Sequence, residues 1–433
     1  MKKVFFALFI VCLLVMAGIP ALGFLAPSEA AANEQLAPTP QWQNEDGSWN
    51  KEYFTQLVGW FSDHFFGRQE LISCNNFLTA NILKTSQTDS VVLGKDGWLY
   101  YQSTMADYTD AAPFTDRQLF AITNNLSLMQ QYCQENGRQF AFVIAPNKNS
   151  LYADAMTVPA AQTRNAQRLL DSLRQNGVSV ADLYEAFGAQ DEILYFAHDS
   201  HWNSKGAALG ADCINAALGK ESRYYLDAFA GQTSHRGDLY DMLYPAFADP
   251  EKDFVYGGKL AFTYTSKATK PDSNVLTTQS DADGSLLCYR DSFGNLLYPY
   301  LADSYGQCRF SRAVSYDLTL PSDAVVIELV ERNLLYLTKY LPVMEAPQRQ
   351  VRATEPVGTV AVEQSGTELL RVTGTLPVQP DDDSPVYIFC GETAYEAFCL
   401  ENGGFGAHLP AGAEVTAVAC YAGGVLQTFT ESQ

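Results

Sequence analysis

Residues 196–206 read Phe196-Ala197-His198-Asp199-Ser200-His201-Trp202-Asn203-Ser204-Lys205-Gly206. An apolar run over 193–197 leads in and reads as a strand, and a helical pattern over about 205–218 follows. Strand, polar turn and helix form the repeating unit of a helix-covered sheet, and the turn after the strand is where such sheets hold their chemistry. Here the turn carries Asp199 and His201 two residues apart, with Trp202 behind them. A carboxylate held against an imidazole fixes the ring's tautomer and stabilises the imidazolium formed in catalysis. The chain has only five histidines, and histidine is the commonest general base near neutral pH. The candidates for a base are therefore few.

A base needs a group to activate. Residues 285–295 read Ser285-Leu286-Leu287-Cys288-Tyr289-Arg290-Asp291-Ser292-Phe293-Gly294-Asn295. A short buried strand over 286–289 turns into a helix that runs towards Tyr300. Serine on such a turn presents its hydroxyl at the sheet edge, and its own N–H near a helix start can help bind an oxyanion. The expected roles are Ser292 as nucleophile, His201 as base and Asp199 as orienter. Arg290 and Tyr298 are candidate substrate contacts. A third strand, 140–145, ends in Pro146-Asn147-Lys148-Asn149-Ser150. Asn147 or Asn149 could supply an oxyanion donor and Lys148 could touch substrate, against the plainer reading that these residues cap the loop.

The ordered motifs carry a resemblance. Asp-x-His-Trp at 199–202, followed by Arg290-Asp291-Ser292-Phe293-Gly294, resembles the DHHW proteins. These are relatives of the alginate O-acetylation proteins of the AlgX/AlgJ type, with SGNH-hydrolase-like domains. Asp63-His64-Phe65 with Arg68, the 92–100 stretch around Gly94-Lys95-Asp96-Gly97-Trp98-Leu99, Gly237-Asp238-Leu239 and 330–334 match further landmarks in order. The resemblance covers about residues 45–340. It implies acyl transfer to an extracytoplasmic glycan through an acyl-serine. It also implies a polysaccharide acceptor and a membrane-bound O-acyltransferase as acetyl donor. No cofactor or metal is expected. Asp199 and His201 precede Ser292 here, whereas simple SGNH hydrolases place the nucleophile first.

The expected fold is α/β: an SGNH-hydrolase-like (flavodoxin-like), mainly parallel sheet with helices on both faces, plus a small C-terminal all-β sandwich-like domain. Residues 1–32 form a targeting segment, uncharged over 4–26. It reads either as a signal peptide cleaved near 21–23 or 30–32, or as an uncleaved anchor. Residues 33–50 are a tether, 51–345 the catalytic domain, 346–356 a linker and 357–433 the β domain, which serves either as a carbohydrate-binding module or as a packing unit. One helix is expected over 51–83, with His64 and Arg68 sharing a face. A hairpin is expected over 90–101, a helix from Thr115 to Gly137, and irregular, tyrosine-rich chain from 219 to 284.

Charge and cysteines set limits. A net charge of −21 argues against nucleic acid, whose phosphates need a basic surface. Of nine cysteines, Cys12 falls in the targeting segment. The other eight permit disulfides in an exported chain, but several sit in apolar runs and buried free thiols are the favoured reading. Three functional alternatives to the transferase stand: an acetyl-esterase using the same residues, a glycan-binding scaffold without catalysis, and a metal phosphoesterase built on His198, Asp199 and His201.

Overall fold

The computed structural model describes residues 35–432, together with Phe6 and residues 9–11. The expected targeting segment and its cleavage points thus lie almost wholly outside the described residues. Among those described, no helix is long and apolar enough to cross a membrane. The first helical stretch is two helices, α1 (Tyr53–His64) and α2 (Arg68–Leu78). The single helix expected over 51–83 is broken at Gly67, whose φ of 77° is left-handed and cheap only for glycine. His64 and Arg68 therefore share no helix face. His64 stacks on Trp60 and bonds its carbonyl at 2.8 Å.

The hairpin forms as expected, from β1 (Val91–Leu93) and β2 (Leu99–Tyr101). The remaining strands before the C-terminal module are β3 (Gln139–Ala145), β4 (Val180–Ala181), β5 (Phe229–Ser234), β6 (Lys252–Tyr256), β7 (Phe262–Tyr264), β8 (Val275–Ser280), β9 (Ser285–Tyr289), β10 (Gln307–Ser311) and β11 (Ala324–Val330). The main sheet has the order β4-β3-β11-β9-β10-β8-β7. Its first five strands are parallel, and β8 and β7 extend one edge by antiparallel pairing.

Both faces are covered, and the period-2 alternation of strand side chains shows it. On β3, Ala141, Val143 and Ala145 enter one core while Phe140, Phe142 and Ile144 enter the other. Two further helices, α3 (Asp116–Glu135) and α4 (Asn165–Gln175), close the second face. The first is closed by α5 (Ser204–Ala217) and α6 (Gly294–Ser304). Thr115 caps α3 through a reciprocal capping box with Gln118. The mainly parallel α/β reading holds for this sheet. The stretch 219–284, expected to be irregular, supplies β5 to β8 and a short helix, Asp238–Leu243.

The run 193–197 is not a sheet strand. It makes one isolated bridge, Tyr195 to Trp202, so Asp199 and His201 stand on a loop packed over the sheet rather than at a strand end. Its apolar side chains, Leu194, Tyr195 and Phe196, are buried all the same. Burial produced the apolar pattern without a ladder.

The C-terminal module comprises β12 (Gln348–Arg349), β13 (Pro356–Val360), β14 (Val362–Ser365), β15 (Leu369–Thr375), β16 (Val386–Cys390), β17 (Thr393–Cys399), β18 (Gly404–Pro410), β19 (Ala417–Ala422) and β20 (Val425–Glu431). These join in one connected path, β13-β20-β19-β16-β17-β18-β15-β14, with β12 beside β17. The pairings form two groups that share β17: its first half pairs with β16, in the group of β12, β13, β16, β19 and β20, and its last two residues pair with β18, in the group of β14, β15 and β18. The linker expected over 346–356 is partly β12. All eight described cysteines are free thiols, five of them buried.

Candidate active site

The loop carrying Asp199 lacks a sheet ladder, so its backbone groups need other partners. Neighbouring backbone supplies some, with Leu99 and Tyr240 donating to the carbonyls of Ala197 and His198, and side chains supply others. The Lys148 ammonium donates to three carbonyls, those of Phe196 (3.0 Å), Ala197 (2.9 Å) and Asp199 (2.6 Å). Glu251 accepts the N–H groups of Ala197 and His198 at 2.6 and 2.8 Å. Burial pushes the Lys148 pKa down to about 7 against the pull of Asp199, Asp238 and Glu251. Lys148 is therefore a clamp on the loop, and the substrate contact expected for it is corrected: its ammonium is buried and committed to carbonyls.

Ser292 is set by a different brace. Asp291, just before it, accepts from Phe293 N–H at 2.9 Å and from Val330 N–H on β11 at 2.8 Å. The Asp291 N–H donates to Glu328 at 3.1 Å. Burial, with the Asp291 charge adding, raises the Glu328 pKa well above the ordinary carboxyl range. The turn from β9 into α6 is thereby pinned to the neighbouring strand, and the position of Ser292 follows from the sheet.

These two supports bring Asp199, His201 and Ser292 into one hydrogen-bonded line. His201 Nε2 lies 2.8 Å from Ser292 Oγ, and His201 Nδ1 lies 2.6 Å from Asp199 Oδ1. The second Asp199 oxygen takes His235 Nε2 at 2.9 Å and the Asp238 N–H at 3.1 Å. His235 stacks flat on Phe196 at 3.7 Å. Burial opposes charge on Asp199, but the two histidines outweigh it and hold the carboxyl well below its ordinary range. Burial likewise lowers the pKa of His201, but Asp199, with Asp238 adding, outweighs it and leaves the ring above its ordinary 6.5. Trp202 donates its indole N–H to Phe293 O at 3.1 Å, tying the histidine loop to the serine turn. Asp199, His201, His235, Asp238, Ser292, and Asn295 line a cavity of about 410 Å³, a size that accommodates a small ligand.

The remaining expected contacts fall elsewhere. Asn147 and Asn149 are buried on the loop after β3 and do not line this cavity. Asn149 donates to Thr104 Oγ1, and Asn147 donates its backbone N–H to Glu331. The oxyanion role expected for them is not supported by their position. Arg290 is buried and donates to Asn295 Oδ1 (2.6 Å) and Pro271 O (2.6 Å). Tyr298 hydrogen-bonds Tyr264 within the core. Neither lines the cavity, so both expected substrate contacts are corrected to supporting groups. His198 turns its Nδ1 to Asp249 at 2.7 Å and does not join Asp199 and His201. The set expected for a metal phosphoesterase is divided between two clusters, His198 with Asp249 and Glu251, and Asp199 and His201 with Asp238. The sequence reading missed His235, 34 residues beyond His201. Its only signal was proximity to the Gly237-Asp238-Leu239 landmark.

No curated protein matches the chain significantly. Among solved structures, the O-acetyltransferase domain of Pseudomonas putida AlgJ aligns at 18% identity over 58% of this chain and 93% of its own, with a TM-score of 0.40. A DHHW family protein from Eubacterium siraeum aligns at 15% identity over 58% of this chain and 100% of its own, with a TM-score of 0.40. Pseudomonas aeruginosa AlgX aligns at 13% identity over 77% and 90%, with a TM-score of 0.38. Residues 91–255, which carry Asp199, His201 and His235 and end before Ser292, match the family model of the SGNH hydrolase-like domain of the acetyltransferase AlgX.

Proposed function

We propose that this chain is a serine-dependent O-acyltransferase, acetyl being the group moved, which modifies a hydroxyl of an extracytoplasmic polysaccharide through an acyl-serine. The observation that carries the reading is the unbroken line from Asp199 through His201 to Ser292, opening on one cavity. Ser292 Oγ bonds to the carbonyl carbon of an acyl ester while its proton passes to His201 Nε2. The tetrahedral intermediate collapses, and the leaving oxygen takes that proton. A sugar hydroxyl then gives its proton to His201 and attacks the acyl-serine. Ser292 Oγ leaves and recovers the proton. Asp199 stays ionised throughout and balances the imidazolium. The acyl donor in this reading is delivered by a membrane-bound O-acyltransferase, the partner that the resemblance implies.

The test uses the soluble chain from about residue 33 with an activated acetyl ester. Intact mass is expected to rise by one acetyl group in wild type and to stay unchanged in Ser292→Ala. Labelling of folded Ser292→Ala to the same extent would refute the assignment. Addition of candidate oligosaccharides then separates transfer from hydrolysis, because only transfer moves the acetyl group onto sugar.

A further inference from the structure

Acyl chemistry at Ser292 needs donors for the negative charge that develops on the carbonyl oxygen, and Asn147 and Asn149 stand outside the cavity. We infer that Asn295 Nδ2, together with the Ser292 N–H, forms the oxyanion site, with Arg290 as its positioning residue. The inference rests on the acyl-serine reading and names the group that would stabilise its transition state.

Three observations converge. Asn295 lines the same cavity as Ser292 and His201, three residues after the serine at the start of α6, with its N–H bonded to Ser292 O at 3.0 Å. Its side-chain oxygen is taken by Arg290 Nη1 at 2.6 Å. Arginine only donates, so the amide's orientation is forced: oxygen to Arg290, nitrogen away from it. The Nδ2 then has no protein acceptor among the described residues, and neither has the Ser292 N–H. The third observation concerns Gly294. A Cβ at that position would meet Arg290 Cδ at 2.5 Å and its Cβ at 2.7 Å. Glycine there lets the Arg290 side chain pass beneath the helix start and reach Asn295. Arg290 is itself anchored on Pro271 O, so the amide is held by a fixed group.

In the step proposed, Ser292 Oγ bonds to the acyl carbon and the carbonyl π electrons move to oxygen. That oxygen accepts from Ser292 N–H and Asn295 Nδ2 until it re-forms the double bond and the leaving oxygen departs with the proton from His201. No further reactant is required.

Substitution separates this role from a structural one. Asn295→Asp keeps the oxygen that Arg290 holds but removes the donor, and Asn295→Ala removes both. Pre-steady-state acylation by 4-nitrophenyl acetate is read as the burst rate against ester concentration. Both variants are expected to lose about 100- to 1,000-fold in maximal acylation rate, with the concentration for half-saturation and the unfolding midpoint near wild type. A burst near the wild-type rate in Asn295→Ala, or restoration of the rate by Asp over Ala, would overturn the inference. A wild type with no burst would instead refute the acyl-serine reading and this inference with it.

Discussion

At the residue scale the electrostatics of His201 set a pH profile. In the proposed acyl transfer the ring must be neutral to accept the Ser292 proton, and Asp199 holds its pKa above 6.5. The acidic limb of kcat/KM is therefore expected above pH 6.5, with activity lost as pH falls through it. Arg332 works against that shift: its guanidinium lies over the Phe293 ring at 5.7 Å and lowers the His201 pKa. Arg332→Gln should move the limb to higher pH. A limb that stays in place or moves down would contradict the assignment of His201 as the base. Asp199, His201 and Ser292 were legible in the sequence because histidines are scarce and each lies in a short ordered motif. His235 and Asn295 were not, because their roles depend on which oxygen or nitrogen a neighbour leaves free. Only the folded geometry decides that. His235→Gln should keep folded protein and lower the acylation rate only in part, because it removes one of the groups that hold Asp199 ionised, whereas His201→Ala should abolish the burst.

The element that most misleads a sequence reading is the 193–197 run. Its apolar character is real, since Leu194, Tyr195 and Phe196 are buried. A pattern of burial does not report whether the backbone is paired with a strand or with side chains. Here it is paired partly with side chains, chiefly Lys148 and Glu251, and partly with the backbone of Leu99, His201 and Asn203. That choice leaves the loop free of sheet register, so Asp199 can face His201 and His235 together. Lys148 alone holds three of the loop's carbonyls. Lys148→Met would leave three carbonyls without their charged donor, at a cost of roughly 2–4 kcal/mol. The expected result is a lower unfolding midpoint and a weaker acetyl-labelling signal at Ser292. A variant with wild-type stability and labelling would show that the loop holds its shape without the clamp.

At the scale of the whole molecule, the β module is docked on the α/β domain through α3. Asn125, fully buried in that helix, donates to Leu337 O at 2.8 Å and Cys399 O at 2.9 Å and accepts the Cys399 N–H at 2.9 Å. Arg117, on the same helix, donates to Ser384 O at 2.5 Å. Phe398 of β17 enters the core beneath α3, and Ala121 of α3 enters the core of the module. Val- and Thr-rich runs at 359–362, 369–372, 386–389 and 415–421, separated by Gly, Pro and Asp, mark strands of the module in the sequence. Strands β17 and β18 were not, because Ala394, Ala397, Ala407, Gly404 and Gly406 carry little β-signal and are selected by close packing. The shared core makes a mechanical prediction. The two domains should unfold in one calorimetric transition, and Asn125→Ala should destabilise the whole chain by about 2–3 kcal/mol, since it strands buried backbone groups of both domains. A freely hinged spacer would give two transitions, with the variant shifting neither. The single transition would mean that the module's position relative to the Ser292 cavity is fixed, so any glycan it holds must reach the serine along one defined path.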